Sequence, residues 1–214
     1  MDINNHTNII NYFIEKYNYE SYLEIGIFNG KNYEQINCKL KECCDITNKY
    51  YSNITYVMPS DEMFAKMPVD KKYDIIFIDG MHDEEFVDRD IVNSLKHLNK
   101  GGVILLHDVI PYLSNMQVEY ECYDGKIQWT GNVWKSIVKL VNKNIEYYTL
   151  FNRDYGLGII KYMDNPYKLN LDNEKTHIRY DYIFDDKQQN INHIKLQGKY
   201  ALHLIDEQNF YKLF

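Results

Sequence analysis

Several short segments carry side chains whose types and spacing suit chemistry. The first is Glu24-Ile25-Gly26-Ile27-Phe28-Asn29-Gly30, which closes an apolar run beginning at Tyr22. Glycines allow a sharp turn and let a ligand approach the backbone. The N–H groups that open a following helix favour negative or polar ligand groups. A dinucleotide site wants G-x-G-x-x-G, and this turn offers only Gly26 and Gly30, with Phe28 between them. Glu24, just ahead of the first glycine, suits the ammonium group of an amino acid, directly or through water. Together these residues favour S-adenosylmethionine over NAD, with a plain strand–helix turn as the alternative.

Asp45 lies about 20 residues further on, where an acid can accept hydrogen bonds from ribose hydroxyls; the bland alternative is a solvated turn residue. Ser60-Asp61, after Pro59, reads as a helix N-cap and as a candidate for the adenine edge. Asp79-Gly80-Met81-His82 places an acid at a strand end and a histidine three residues on. A histidine titrating near neutrality can take a proton from a hydroxyl. Asp79 and Asp108 could hold a divalent cation through oxygen ligands, and His107 could add a nitrogen or serve as a core histidine. The segment Trp129-Thr-Gly131-Asn132-Val-Trp134-Lys135 presents Trp129 either to a substrate pocket or over the core edge.

These residues require elements to hold them at one place. Ile10, Phe13, Ile14 and Tyr17 follow helical spacing, so Thr7 to Tyr17 reads as an amphipathic helix. Strands are expected at Tyr22 to Ile27, Glu42 to Ile46, Ile54 to Val57, Tyr73 to Asp79 and Val103 to Leu106. Tyr73 to Asp79 is nearly all apolar, the pattern of a strand buried on both faces. A helix is expected over Asn32 to Leu40. A second carries Phe86, Val87, Ile91, Leu95 and Leu98 as one stripe, stopped by Gly101-Gly102. Val109 to Thr130 shows no period, and loops of that length are uncommon unless functional or disordered. Asn132 reads as the N-cap of a helix through Val141. Two strands, Glu146 to Phe151 and Gly158 to Tyr162, flank a turn. His177 to Phe184 reads as an extra strand and Glu207 to Phe214 as a last helix. Strands alternating with helices imply a three-layer α/β/α sandwich, with ligands at the carboxyl ends of the strands.

The chain has 214 residues, 45% of them hydrophobic, and a formal net charge of -7. That suits one domain over 1–214, with its core about 20–162 and an extension over 163–214. Acidic and basic residues are interleaved, so nucleic acid is not the expected partner. No apolar run reaches the roughly 20 residues of a membrane span, and the N-terminal residues lack a signal peptide's pattern. Cys38, Cys43, Cys44 and Cys122 form no C-x-x-C pair, which fits a reducing cytoplasm.

In order, Tyr-Leu-Glu-Ile-Gly-x-x-x-Gly, Pro-Ser-Asp-Glu-Met-Phe, Tyr-Asp-Ile-Ile-Phe-Ile-Asp-Gly-x-His, Leu-x-x-Gly-Gly-Val-Ile-x-Leu-His-Asp and Trp-x-Gly-x-Val-Trp-Lys resemble class I methyltransferases. The similarity is to a small-domain group associated with glycan and polysaccharide pathways, and spans about 20–162. It implies a Rossmann-like, mostly parallel seven-stranded sheet with its last strand antiparallel, and S-adenosylmethionine as methyl donor. Glu24, Gly26 and Gly30 would match the cofactor turn, Asp45 the ribose acid and Ser60-Asp61 the adenine side. The more distant macrolide-sugar O-methyltransferases are similar over this Asp-Gly-x-His segment, which implies magnesium on Asp79 and His82 as general base. His107 stands where their second metal segment has Glu, and Asn132 where close relatives have Asp. The resulting expectation is O-methylation of a small, sugar-like hydroxylated acceptor, by a chain that could form homo-oligomers. A nicotinamide-dependent oxidoreductase and a non-catalytic binding protein of the same fold are the rivals.

Overall fold

The computed structural model describes residues 1–169, 171, 179–185 and 194–214. Its centre is a sheet of eight strands among the described residues: β1 Ser21–Ile25, β2 Leu40–Asp45, β3 Tyr56–Val57, β4 Tyr73–Ile78, β5 Leu98–Leu106, β6 Tyr147–Leu150, β7 Leu157–Lys161 and β8 Leu204–Ile205. They are ordered β3-β2-β1-β4-β5-β7-β6-β8. Pairing is parallel from β3 through β5, and β7 runs antiparallel to both β5 and β6. The order reverses between β1 and β4, and in open α/β sheets that reversal opens a crevice at the strands' carboxyl ends.

Helices cover both faces, as the apolar strands require. Leu23, Ile25, Ile76, Ile78, Ile104 and Leu106 face one core with residues of α3 (Ser60–Lys66), α4 (Glu84–Lys96) and α5 (Val133–Lys139). Tyr22, Ile75, Phe77, Val103 and Leu105 face the other, under α1 (His6–Tyr17) and α8 (Glu207–Leu213). The alternation along β4 is the two-residue period of a strand with both faces buried.

Several expectations are corrected. The sheet has an eighth strand, β8, paired in parallel with β6; two residues are too few to show a period. The expected Asn32–Leu40 helix is only α2, Lys31–Gln35. Ile36 turns extended and is buried, and Leu40 already belongs to β2. Gly101-Gly102 does not stop α4, which ends at the cap His97. The glycines lie inside β5, where its register to β4 shifts between Tyr73 and Ile75, and Leu98 is a strand residue. Phe86 leaves the α4 stripe and is exposed. Within Val109–Thr130 the chain forms short 3₁₀ turns at Ser114–Gln117 and Tyr120–Cys122. Of the expected His177–Phe184 strand, 177 and 178 lie outside the described residues, and Tyr180–Ile183 is a helical turn, α6. One further helix, α7 (Leu196–Ala201), precedes β8.

Candidate functional site

A cleft of about 470 Å³ opens at the carboxyl ends of β1, β2 and β4. Its wall runs from Ile25, Gly26 and Phe28 through Asp45–Thr47 and Tyr50, past Ser60 and Asp61, to Asp79–Met81, Phe86 and Asp90. That volume lies in the range of small-molecule sites.

The glycine turn is built for close approach. Gly26 has φ +83, and a Cβ there would sit 2.1 Å from the Asp79 carbonyl oxygen, so no larger residue fits. Asp45 Oδ2 accepts from the N–H groups of Ile27 and Phe28 at 3.0 and 3.1 Å, so Asp45 holds the turn as well as lining the cleft. Phe28 is 65% exposed, and its ring lies 5.2 Å from that of Tyr50. Glu24 is buried and is not part of the cleft wall. Its carboxylate accepts from the Tyr22 hydroxyl at 2.6 Å and from Asn32 Nδ2 at 3.0 Å. Burial pushes it up to about 7, against the lowering effect of those two donors.

At the other end of the cleft neither expected cap is a side-chain cap. Ser60 is the first residue of α3, Pro59 is the cap, and no side chain caps it. Asp61 accepts from Arg89 Nε at 2.8 Å. Asp90, on the buried side of α4, completes this wall. One of its carboxylate oxygens has no hydrogen-bond partner among the described residues, and burial raises it to about 7, with a Ser60 hydrogen bond opposing. Sequence reasoning missed Asp90, because an acid inside an amphipathic helix reads as solvated.

Beside the cleft, β4 and β5 end next to each other and bring together Asp79, His82, His107 and Asp108. His82 Nε2 lies 3.3 Å from Asp79 Oδ1 and its Nδ1 lies 3.5 Å from Asp108 Oδ2. His107 Nδ1 lies 3.3 Å from Asp79 Oδ1 and 3.6 Å from Asp108 Oδ2. Burial opposes charge on both histidines, but the carboxylates outweigh it: His82 is raised, and His107 is raised well above its ordinary value. Burial likewise opposes charge on Asp79, yet His107 and His82 hold its carboxyl far below the usual range. Asp108 is buried at φ +59 with one oxygen unpartnered among the described residues. Such backbone strain persists only where the surroundings enforce it.

The segment after the long loop positions His82. The Trp129 ring stacks on His82 at 5.0 Å, its carbonyl oxygen is 3.3 Å from Nδ1, and Tyr123 stacks on its indole. Gly131 has φ +55, and a Cβ there would meet the His82 carbonyl oxygen at 2.2 Å. The Asn132 N–H donates to that carbonyl at 2.9 Å. Asn132 does not cap its own helix; its side chain accepts from the Glu84 N–H at the start of α4. Buried Lys139, paired with Asp88 and with Glu84 at 2.7 Å, ties α5 to α4. Trp129 therefore covers the histidine, a third outcome beside the two expected for it.

Two more residues join this edge that sequence spacing did not suggest. His6 Nδ1 lies 2.6 Å from Asp154 Oδ2, and His107 Nε2 lies 3.4 Å from the same oxygen. All four cysteines are free. Among the described residues no helix is long and apolar enough to cross a membrane.

Residues 39–109, from the start of β2 to just past β5, match a family model described as a methyltransferase domain. No curated protein matches the sequence. Among solved structures, an O-methyltransferase from Bacillus cereus in complex with S-adenosylhomocysteine superposes with a TM-score of 0.57 at 12% identity, covering 74% of this chain and 80% of that one. TomG, an O-methyltransferase from Streptomyces achromogenes involved in tomaymycin synthesis and bound to S-adenosylmethionine, gives 0.55 at 12% identity, covering 74% and 79%. Residues 39–109 are thus similar to a methyltransferase domain, and the chain shares the Rossmann-like fold of these solved structures.

Proposed function

We propose that this chain transfers a methyl group from S-adenosylmethionine to a hydroxyl of a small, sugar-like acceptor. The observation that carries this reading is the cleft at the β1/β4 reversal with the Asp79–His82 pair at its side. The methyltransferase-domain match over 39–109 and the cofactor-bound structural neighbours support it. In this reading the Gly26–Gly30 turn takes the amino-acid end of the cofactor, and Glu24 acts from behind the turn through water. Asp45 takes the ribose, Ser60 and Asp61 flank the adenine, and Phe28 with Tyr50 covers it. Residues 1–214 form one domain acting in the cytoplasm, and self-association is compatible with it.

The methyl carbon passes in line from sulfonium sulfur to acceptor oxygen; the C–S bond breaks as the C–O bond forms. S-adenosylhomocysteine leaves neutral at sulfur, and the acceptor's proton goes to His82. Positioning supplies much of the barrier lowering, and a placed base adds about 10²–10⁴-fold. His82 needs its neutral form for this, so its raised affinity for protons sets the acid limb of activity.

The magnesium expected by resemblance does not suit the donors present. Magnesium takes near-octahedral oxygen coordination, whereas Asp79 and Asp108 here face the imidazoles of His82 and His107 at 3.3–3.6 Å. These imidazoles already occupy the space between the carboxylates, and the proton transfer is assigned to His82 alone.

Calorimetric titration with S-adenosylmethionine and S-adenosylhomocysteine tests the reading, with 1:1 binding expected. Absence of binding at high micromolar ligand would overturn it. An NADH titration with a clear fluorescence change would favour the oxidoreductase rival instead.

A further inference from the structure

A second cluster at the same sheet edge shares only His107 with the Asp79–His82 group. His6 begins α1, His107 follows β5, and Asp154 lies in the turn between β6 and β7; one ligand atom from each falls within 4.8 Å of the others. We propose that His6, His107 and Asp154 bind a divalent transition-metal ion, zinc by the nature of the donors. Two imidazoles with one carboxylate form a set that zinc accepts while keeping a fourth position open. Nitrogen donors disfavour magnesium and calcium.

The geometry is near to that of a coordinated ion. His107 Nε2 and Asp154 Oδ2 are 3.4 Å apart, close to the ligand–ligand separation of a tetrahedron with bonds of about 2.0–2.1 Å. The 2.6 Å between His6 Nδ1 and Asp154 Oδ2 would open by a few tenths of an ångström or more. His107 is only 9% exposed, and among the described residues neither of its ring nitrogens has an aligned hydrogen-bond partner. Buried polar groups are rarely left in that state, and an ion on Nε2 would satisfy it. Asp79 Oδ1 stands 3.3 Å behind Nδ1 of the same ring, the carboxylate-behind-histidine arrangement that orients metal ligands.

The supporting structure holds the three residues in place. The His6 ring stacks on Phe77 at 5.3 Å. Asn152 accepts from the N–H groups of Asp154 and Gly156 at 3.2 and 2.9 Å and donates to the Ile3 carbonyl at 2.9 Å. Asn4 accepts from the Arg153 N–H at 2.9 Å, so the turn and the start of α1 are tied together. The His6 and Asp154 side chains remain 22% and 25% exposed, which leaves an entry path and room for a water. The ion would join α1 to the β6–β7 turn and to the strand end that carries Asp108. This assignment is independent of the methyl-transfer reading and needs no cofactor.

The test uses the full chain, stripped with chelator and titrated with zinc chloride by calorimetry, with metal content measured after dialysis. One zinc per chain and a raised Tm are expected, and magnesium should produce neither. His6→Gln and Asp154→Asn should each weaken zinc binding roughly tenfold or more with the circular dichroism unchanged, whereas Asp108→Asn should retain it. Substoichiometric zinc in the wild type, or wild-type binding by both His6→Gln and Asp154→Asn, overturns the assignment. So does loss of zinc in Asp108→Asn alone, which would move the ion to the Asp79–His82–Asp108 group. Should the variants fail to fold, cobalt(II) added to the wild type decides: strong visible bands of a four- or five-coordinate nitrogen-bearing site support the proposal, and the weak spectrum of octahedral cobalt refutes it.

Discussion

Replacing Glu24 with glutamine should stabilise the protein relative to the wild type as the pH rises. The Glu24 carboxyl is 2% exposed and rises from 4.5 to about 7, mainly through burial, with Asp79 adding repulsion. The unfolded chain loses this proton near the ordinary value, while the folded chain keeps it to about 7. Between those limits the folded state binds more protons, so stability falls as pH rises. A shift of about 2.5 units corresponds to about 3 kcal/mol at 1.36 kcal/mol per unit. The glutamine amide keeps an oxygen to accept from Tyr22 and Asn32 but does not titrate. Urea unfolding of both proteins from pH 5 to 8.5 isolates the effect, because the other groups cancel in the difference. The stability of Glu24→Gln relative to wild type should grow by about 2–3 kcal/mol across that range, most of it before pH 7.5. A difference that stays flat with pH, or one that grows toward acid, would refute the account of Glu24 as a buried acid protonated in the fold.

Three further outcomes are expected. His82→Ala should lower kcat by about 10²–10⁴-fold while leaving S-adenosylhomocysteine affinity within a factor of two or so, read by calorimetry beside single-turnover rates. The wild-type rate should fall as pH drops through a value above 6.5, because Asp79 and Asp108 raise His82; Asp108→Asn, which removes one of those charges and tolerates the left-handed backbone, should move that limb to lower pH, and an unmoved limb would detach it from His82. Gly26→Ala should cost about 1–3 kcal/mol for the positive φ, more for the contact with the Asp79 carbonyl, and remove cofactor binding, checked by thermal unfolding with and without S-adenosylhomocysteine.

What the sequence alone determined is what short-range physics encodes. Short apolar runs marked β1, β4, β6 and β7, and the 3.6-residue spacing of Ile10, Phe13, Ile14 and Tyr17 marked α1. Gly26 and Gly30 announced the turn, and both take positive φ, Gly26 against the Asp79 backbone and Gly30 against the Tyr51 ring. Asp79 and His107-Asp108 stood out because buried strands ended in polar residues. In the structure Asp79, His107 and Asp108 lie at one sheet edge, beside a cleft that includes Gly26 and Asp79 but not Glu24. The tertiary structure decided everything that depends on distance along the chain. Leu98 became strand because Tyr73 of β4 pairs with it, and Gly101-Gly102 lie in the register shift before Val103, whereas their local pattern suggested the end of a helix. Gly131 and Asn132 became the clamp on His82 only when α5 packed against α4 through Lys139, Glu84 and Asp88. Asp90 turned from a helix-surface acid into part of the cleft wall through burial. His6 and Asp154, separated by 148 positions, meet His107 only because α1 and the β6–β7 turn close over the same sheet edge. No local spacing records such a meeting, since it arises from the order in which the strands pair.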